Sequence, residues 1–307
     1  MLRLIFMGSP DFAVPALQAL ARSDHEILAV ASNPDRKRGR GSVKTPTAVK
    51  ETALELKLPV IDVESTNDPA FIERIRELKP DLLVVVAFRI LPEELLEIPL
   101  QGSINLHASL LPAYRGAAPI HWAVMNGETK SGCTTFFLNN RVDTGSIILQ
   151  KETPVGPDET AGELYDRLKR VGAEMVLETV DRIDSGRVKV VPQDGSKASS
   201  APKLFRENTR VDFRETSKRV HNKIRGLSPF PTAWTLYNGE KMNLYRSAMG
   251  PRYELKPGQL QLDGEQLLVG CSEGTVEIKE LQLPGRNRMS GIDFANGYDL
   301  NTPLENP

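Results

Sequence analysis

Apolar segments rich in branched residues alternate with helical periodicity over about the first 190 residues. The clearest strand is residues 81–87, DLLVVVA, an unbroken apolar run typical of a parallel strand that is buried on both faces. Apolar residues at helical spacing over 10–22 and 160–184 predict amphipathic helices before and after such strands. This alternation predicts an α/β domain built on a mostly parallel sheet.

The pattern changes after residue 189. Residues 190–207 mix Pro, Gly, Ser and charge without periodicity, which predicts a linker. Residues 208–307 contain one short helical segment and several short strand patterns, and Asn238-Gly239 suits a two-residue hairpin turn. About five short strands in about 100 residues predict a small β-barrel, for which an OB-fold is a natural arrangement. The predicted division is therefore an α/β domain at 1–189, a basic linker at 190–207 and an OB-like domain at 208–307.

Composition limits the classes of protein that remain. The chain has 307 residues, of which 40% are hydrophobic and 26% charged, and its net charge is -1, so a nucleic-acid site requires local clustering of Lys and Arg. Cys133 and Cys271 lack a nearby partner, which excludes a thiolate zinc site and disfavours a disulfide framework. No apolar run approaches the ~20 residues of a membrane span. A cytoplasmic monomer without a bound metal is the expectation.

The residues with the most chemical potential lie in and after the segment Ser103–His107. Asn105 and His107 are two positions apart on this predicted strand, so their side chains share a face at its carboxyl end, where open α/β sheets place ligands. Asp143 follows in Val-Asp-Thr-Gly. An amide donor, an imidazole and a carboxylate suit proton transfer and oxyanion stabilisation. On residue types alone, a structural strand-end histidine is the commoner interpretation.

No serine or cysteine lies in a recognisable nucleophile elbow, so direct attack by an external nucleophile fits better than a covalent intermediate. The stretch SINLHASLLPAYRGAAPI, together with VDTG, resembles the signature of the folate-dependent formyltransferase family. GSPDFAVPAL, PDRKRGRG and LSPFPTAW are similar to segments of the members that formylate methionyl-tRNA. The resemblance implies a Rossmann-like formyltransferase domain followed by an OB-like tRNA-binding domain. It implies transfer of the formyl group of 10-formyltetrahydrofolate to initiator methionyl-tRNA, giving N-formylmethionyl-tRNA for translation initiation.

The resemblance also implies roles for individual residues. Asn105 would orient the formyl group and donate to its oxygen, His107 would stabilise the oxyanion or move protons, and Asp143 would hold His107 and receive the proton of the amine. The expected folate-binding residues are Ser109, Leu110, Leu111 and Pro112 in the loop, and Val86, Phe88 and Leu91 around the pterin. Phe88-Arg89 departs from the Tyr-Gly of many relatives, which leaves the side-chain roles there open.

Two basic clusters are candidate tRNA contacts. The first is a Gly-containing loop with Arg36, Lys37, Arg38, Arg40 and Lys44, although such a run is more often only solvated. The second spans 203–225, where eight basic residues oppose three acids, and it begins with Lys203 and Arg206. Both clusters could bind along the phosphate backbone of a nucleic acid. The resemblance implies that Arg40 wedges beside the first base pair of the acceptor stem.

Three other functions remain open at this point. A sugar-nucleotide N-formyltransferase would share the three polar residues and a two-domain layout, but it gives the basic loop no purpose. A formyltetrahydrofolate hydrolase would use water in place of the amine and leave the second domain without a role. An inactive RNA-binding protein would not require Asn105, His107 and Asp143. Among the other histidines, His121 is a candidate neighbour of the site, whereas His25 and His221 are predicted to be exposed.

Overall fold

The computed structural model describes residues 1–37 and 44–307. Its strands are, in chain order, β1 (Arg3–Gly8), β2 (Glu26–Ser32), β3 (Arg36–Lys37), β4 (Lys44–Thr45), β5 (Val60–Asp62), β6 (Leu82–Val86), β7 (Ser103–His107), β8 (Lys130–Phe137), β9 (Ile147–Pro154), β10 (Ala233–Tyr237), β11 (Glu240–Met249), β12 (Leu260–Asp263), β13 (Gln266–Gly270), β14 (Thr275–Gln282), β15 (Met289–Ser290) and β16 (Leu304–Glu305). Its α-helices are α1 (Val14–Ala21), α2 (Ala48–Glu55), α3 (Pro69–Leu78), α4 (Glu93–Leu96), α5 (Pro119–Met125), α6 (Ala161–Asp184), α7 (Ser217–Gly226) and α8 (Gly291–Gly297).

Internal contacts divide the chain into two compact units. The first unit comprises Met1–Gly116, Gly132–Thr153 and Tyr165–Ser200. The second unit comprises Ala117–Ser131, Pro154–Leu164 and Ala201–Pro307. Both therefore contain segments that are separated in sequence, whereas the sequence pattern predicts two continuous domains. The predicted boundaries at 189/190 and 207/208 stay predictions.

The first unit is built on a sheet whose strand order is β5-β2-β1-β6-β7-β8-β9. The pairs β5·β2, β2·β1, β1·β6 and β6·β7 are parallel, and β8 is antiparallel to β7. The chain leaves β1 towards β2 on one side and returns to the other side of β1 with β6. Open α/β sheets usually bind their ligands at such a reversal, so the carboxyl ends of β1 and β6 are the expected ligand position.

Burial explains why β1 and β6 occupy the centre of this sheet. Every residue of β6 is buried, as the unbroken apolar run predicts. Ile5 and Met7 of β1 contribute to the same core cluster as Phe71 and Ile75 of α3. The helix begins after Asp68, whose side chain accepts a hydrogen bond from the Ala70 N–H, with Pro69 at its first position.

The second unit contains an antiparallel sheet with the order β12-β13-β14-β11-β10-β16, and β15 pairs with β14. Asn238 and Gly239 both have positive φ angles, of 51° and 75°, and connect β10 to β11, so the predicted two-residue hairpin is confirmed. The sequence pattern predicts one short helix in residues 208–307, and this was wrong, because the structure has two there, α7 and α8. The helix α8 begins with a capping box, in which Ser290 accepts from the Asp293 N–H.

Within the described residues, no helix is both long enough and apolar enough to cross a membrane. Cys133 and Cys271 are both buried as free thiols, as expected. Burial raises the pKa of each thiol to about 12, so both remain protonated near neutral pH. These side chains therefore act as small apolar core residues.

Candidate active site

The first unit brings the predicted polar residues to the carboxyl edge of its parallel strands. Asn105 and His107 lie on β7, and Asn105 is in register with Val85 of the neighbouring strand β6. The loops after β6 and β7 contain two non-glycine residues with left-handed φ angles, Ala87 at 49° and Tyr114 at 61°. Such conformations are uncommon and occur often around ligand sites. The edge therefore combines titratable groups with unusual backbone geometry.

His107 and Asp143 come together in space. The Nδ1 atom of His107 lies 3.7 Å from Oδ2 of Asp143, and both side chains are largely buried, with exposures of 7% and 12%. On the other side of the ring, Nε2 lies 2.8 Å from the Tyr114 carbonyl oxygen, so Nε2 carries a proton and donates it. Oδ2 of Asp143 also accepts a hydrogen bond of 2.8 Å from the Gly116 N–H. The ring is thus oriented from both sides.

Asp143 is fixed by residues that sequence reasoning missed. Its φ angle is 52°, in the left-handed region. The Gln193 side-chain amide donates to the carbonyls of Asp143 and Gly145 at 3.0 and 2.8 Å, and its oxygen accepts from both Nε and Nη2 of Arg115. Gln193 lies in the segment predicted to be a linker, where a single polar residue carries no pattern that distinguishes it. These contacts present the carboxylate to the His107 ring.

Asn105 is the third polar residue of this group. Its side chain is partly exposed, and it shares a strand face with His107 because the two residues are two positions apart. The Asn105 amide makes no hydrogen bond with the part of the chain that the structure describes. Its N–H groups are therefore available to an incoming oxygen. The arrangement offers a neutral donor, an oriented imidazole and a carboxylate, which together suit the transfer of an acyl group to an external nucleophile.

Hydrogen bonds from side chains of β8 and β9 hold the loop after β7 in one conformation. Thr134 of β8 accepts from the Leu111 N–H at 3.1 Å and donates to the Ser109 carbonyl at 2.6 Å. The Gln150 amide donates to the Leu111 carbonyl at 2.6 Å, and the Ser109 hydroxyl donates to the Ala113 carbonyl at 2.6 Å. This loop contains four of the seven residues that are predicted to contact folate: Ser109, Leu110, Leu111 and Pro112. Thr134 and Gln150 are further contributors that sequence analysis did not single out.

The end of β6 and the segment after it carry the other predicted folate residues. Val86 and Leu91 are buried, and Phe88 is partly buried against the core cluster of the first unit. Arg89 donates from Nε to the Asn33 side-chain oxygen at 2.6 Å. The side chains of Phe88 and Arg89 therefore both contact other parts of the first unit.

The structure describes only some of the predicted tRNA-binding residues. Arg36 and Lys44 are exposed, and Arg36 pairs through its backbone with Thr45, as Lys37 does with Lys44, in a two-stranded hairpin. Arg38 and Arg40 lie outside the described residues. In the second unit, Lys203 and Arg206 are exposed.

The remaining histidines differ from expectation in two cases. The side chains of His25 and His221 are each only 4% exposed, so the prediction of exposed positions was wrong. In both cases, a nearby carboxylate and other polar groups contact the ring nitrogens, which makes burial of the ring possible. His121 of α5 contacts the Gly226 carbonyl through Nδ1 at 2.9 Å, and burial lowers its pKa. In residues 1–37 and 44–307, no cluster of His, Cys, Asp or Glu side chains has the geometry to hold a metal ion.

The class of this protein follows from the comparison with known families, and that class is the formyl transferases. Residues 2–180 match the family model described as formyl transferase, and residues 203–299 match the formyl transferase C-terminal domain. The chain is 49% identical to the methionyl-tRNA formyltransferase of Chlorobium luteolum over 97% of both chains. It is 44% identical to that of Geobacter sulfurreducens over 97% of this chain and 95% of the relative. The chain therefore belongs to the methionyl-tRNA formyltransferase family and is a transferase.

A solved structure shows a related fold at low sequence identity. The N-formyltransferase from Helicobacter canadensis, in complex with folinic acid and dTDP-3-aminofucose, matches with a TM-score of 0.70 and 22% identity over 91% of this chain and 99% of that one. This likeness supports a Rossmann-like domain followed by a domain with an antiparallel sheet. It does not extend to the substrate.

Proposed function

We propose that this chain transfers the formyl group of 10-formyltetrahydrofolate to the free amino group of initiator methionyl-tRNA. The observation that carries the proposal is the meeting of Asn105, His107 and Asp143 at the carboxyl edge of the sheet. Relatives at 41–49% identity over nearly the whole chain bear the name of this reaction. The product, N-formylmethionyl-tRNA, would serve translation initiation.

The amine would attack the formyl carbon directly. As the new C–N bond forms, the formyl oxygen gains negative charge, which the Asn105 amide stabilises by donating a hydrogen bond. The bond between the formyl carbon and N10 of the folate then breaks. The proton lost by the amine passes to Asp143, directly or through a water molecule, and is then delivered to N10 of the leaving folate, which returns Asp143 to its carboxylate form and balances the step.

His107 would orient and stabilise this transfer. With Nε2 donating to the Tyr114 carbonyl, the Nδ1 atom is the one that faces Asp143 and the reacting groups. A proton on Nδ1 gives the ring a second donor and removes the repulsion between its lone pair and the carboxylate. Because both sides of the ring are held, little reorganisation is needed when charge develops.

The folate would lie between the loop 109–112 and the segment 86–91. The fit rests on the rigidity of the loop, whose backbone is bonded to Thr134 and Gln150, and on the crevice expected between β1 and β6. The folinic acid in the Helicobacter canadensis enzyme is a folate derivative, which supports a folate co-substrate here. Val86, Phe88 and Leu91 would line the pterin portion, chiefly through backbone groups.

The acceptor tRNA would be bound by exposed cations. Arg36, Lys37, Arg38, Arg40 and Lys44 form one proposed group, and Lys203 and Arg206 form the other. Each phosphate that such a residue neutralises releases about one counterion, so binding should weaken as the salt concentration rises.

The second unit would form an OB-like barrel. Its sheet runs from β12 to β16, and the Leu304 N–H of β16 donates to the Gly258 carbonyl, just before β12, at 2.8 Å. This bond brings the two ends of the sheet together, as closure of a small barrel requires.

The decisive test incubates the protein with 10-formyltetrahydrofolate and methionylated initiator tRNA and measures the formylated ester. A matched reaction supplies an amino-sugar nucleotide in place of the tRNA. Formylation of the tRNA alone is expected. Transfer only to the sugar nucleotide would favour the alternative N-formyltransferase function and contradict this proposal.

A second experiment tests the basic loop. Replacement of Arg36, Lys37, Arg38 and Arg40 by Ala should raise KM for methionyl-tRNA and flatten its salt dependence, while folate affinity stays unchanged. The control replaces Arg74 and Arg76, two exposed cations on α3 that lie outside the proposed loop. An unchanged KM in the loop variant would remove the loop from the tRNA site.

A further inference from the structure

The segment from Lys203 to Arg206 in the second unit exposes one large aromatic ring. Leu204 is partly buried against the core of this unit, whereas the next residue, Phe205, is 58% exposed. Neighbouring side chains of an extended segment point in opposite directions, so burial of Leu204 directs Phe205 to the solvent. Exposure of a large aromatic side chain forgoes the stabilisation that burial would give, which makes the position a candidate for binding.

Hydrogen bonds fix the backbone on which Phe205 is presented. The Phe205 N–H donates to the Asn208 side-chain oxygen at 2.9 Å. The carbonyl of the following residue, Arg206, accepts from the Trp234 indole N–H at 3.2 Å and from the Thr209 hydroxyl at 2.8 Å. The exposed ring is therefore carried by an ordered segment, and little conformational entropy is lost when a flat partner stacks on it.

Cations surround the aromatic residues in this region. Lys203 Nζ lies 5.7 Å from the centre of the Phe205 ring. Arg206, Arg210 and Lys241 each lie within 5.3–5.7 Å of the centre of the Trp234 ring. We call these six residues the 203–241 surface.

The cations of the 203–241 surface lack the ion pairs found elsewhere in the unit. Within the described chain, none of Lys203, Arg206, Arg210 and Lys241 lies within 4.0 Å of a carboxylate oxygen. By contrast, Arg214, Arg219 and Arg246 pair with Asp212, Glu215 and Glu163. Burial and the charge of Arg206 lower the pKa of Lys241, consistent with local crowding of positive charge. The surface therefore offers uncompensated charge to an anion.

We propose that Phe205 stacks on an unpaired nucleobase of the acceptor RNA while Lys203 and Arg206 bind the adjacent phosphates. The inference rests on the proposed function and adds a base-contacting residue to it. Every nucleobase presents a flat π face, and an exposed aromatic ring between cations is how proteins hold single-stranded nucleic acid. A blunt duplex contains no unpaired base, and every base except those of its terminal pair is covered on both faces by its neighbours, so it does not offer Phe205 the proposed partner. Phosphate binding alone would not require the ring.

The test uses the full chain and two RNA hairpins with equal numbers of phosphates. One hairpin ends in a single-stranded 3′ tail that contains 2-aminopurine, whose fluorescence is quenched by stacking, and the other is blunt. Phe205→Ala and Phe205→Leu should bind the tailed hairpin roughly 5- to 100-fold more weakly and lose the quenching. Phe205→Tyr should retain both. Binding of the blunt hairpin should be the same for all four proteins.

Phe230→Ala is the matched control, because Phe230 is another exposed aromatic residue of the second unit, at 78% exposure. It should bind the tailed hairpin like the wild type. Equal affinity of Phe205→Ala and wild type for the tailed hairpin would overturn the proposal, as would full retention by Phe205→Leu or an equal loss in Phe230→Ala. Binding of an acidic peptide that depends on Phe205, without any effect on RNA, would also overturn it.

Failure of this inference is distinguishable from failure of the proposed function. Formyl transfer to methionyl-tRNA by the wild type is measured in parallel. Absence of transfer contradicts the proposed function itself. Normal transfer by the wild type, together with unchanged RNA binding by Phe205→Ala, removes only the role of Phe205.

Discussion

His107 in the first unit and His221 in the second are surrounded by nearly the same chemical groups. Both side chains are buried, and Nε2 of each faces a backbone carbonyl, that of Tyr114 at 2.8 Å and that of Pro157 at 3.1 Å. Each ring also lies near an aspartate. Nδ1 of His107 is 3.7 Å from Oδ2 of Asp143, and Nε2 of His221 is 3.2 Å from Oδ1 of Asp158. By residue type and distance alone, either pair could be taken for a catalytic one.

Their surroundings separate the two pairs. Asp143 is 12% exposed and fixed by the Gly116 N–H, whereas Asp158 is 67% exposed. Nδ1 of His221 is bonded to the Ser247 hydroxyl at 2.9 Å, which satisfies the ring within the protein. His107 instead shares its strand face with Asn105, whose amide is available to a ligand. In this chain, the candidate reactive pair is therefore the one that lies beside a polar group without a partner in the described chain.

The largest expected effect is that of His107→Ala. Loss of the oriented ring should lower kcat by about 10²–10⁴-fold without loss of the fold, since this is the usual range for a group that stabilises developing charge or assists a proton transfer. His221→Ala is the matched control and should leave kcat unchanged at a temperature where both proteins are folded. Turnover is measured with both substrates saturating. Equal losses of kcat in the two variants would show that the two histidine–aspartate pairs do not differ in function.

Asn105→Ala should lower kcat by about 10²–10³-fold, the usual effect of removing one donor to a developing oxyanion. KM for the folate should change much less, because the donor acts mainly on the reacting oxygen. Ser247→Ala, which removes the polar partner of His221, is the comparison and should retain kcat. A loss confined to KM in Asn105→Ala would place the residue in substrate binding only.

Asp143→Asn should lower kcat by at least about 10-fold and alter the shape of the pH–rate profile. The variant keeps the size of the side chain and removes the charge that faces His107 and accepts the amine proton. Asp158→Asn should change neither quantity. The profile is recorded from pH 5 to 9 with folate binding measured separately. A parallel shift of the whole profile without a change of shape would argue against a proton-transfer role.

The smallest expected effect concerns stability at the second pair. Burial, together with the charges of Arg225 and Lys279, lowers the pKa of His221 below 6.5, although the Pro157 carbonyl and Asp158 act in the opposite direction. As the pH falls below about 6.5, the unfolded chain binds a proton before the folded one does. His221 therefore lowers the free energy of unfolding by at most about 1.4 kcal/mol for each unit by which the pH falls below about 6.5. It has no such effect at higher pH.

Urea unfolding at pH 7.5 and 5.5 measures this dependence. His221→Gln should show a smaller decrease than the wild type, and kcat should be unaffected. His121, whose pKa burial also lowers, is present in both proteins, so the difference between them reports on His221. An identical decrease in both would show that His221 does not contribute.

The sequence predicted the elements of the first unit better than its supporting contacts. The apolar run at 81–87 predicted β6, because a strand buried on both faces tolerates little polarity. The spacing of Asn105 and His107 then indicated a shared face. Thr134, Gln150 and Gln193 escaped notice because their roles depend on backbone groups distant in sequence, and a lone polar residue has no periodicity. The burial of His221 was missed for the same reason.

The sequence by itself determined the α/β pattern, the strand that carries Asn105 and His107, the hairpin at Asn238-Gly239 and the family to which the chain belongs. These features depend on local periodicity, turn geometry and motifs that are continuous in the chain. Only the tertiary structure decided that Asp143 faces His107, that Asp158 faces His221, and that Asn105 remains open. Those facts depend on the directions in which side chains from separate segments meet, and the spacing of residues along a chain does not specify them.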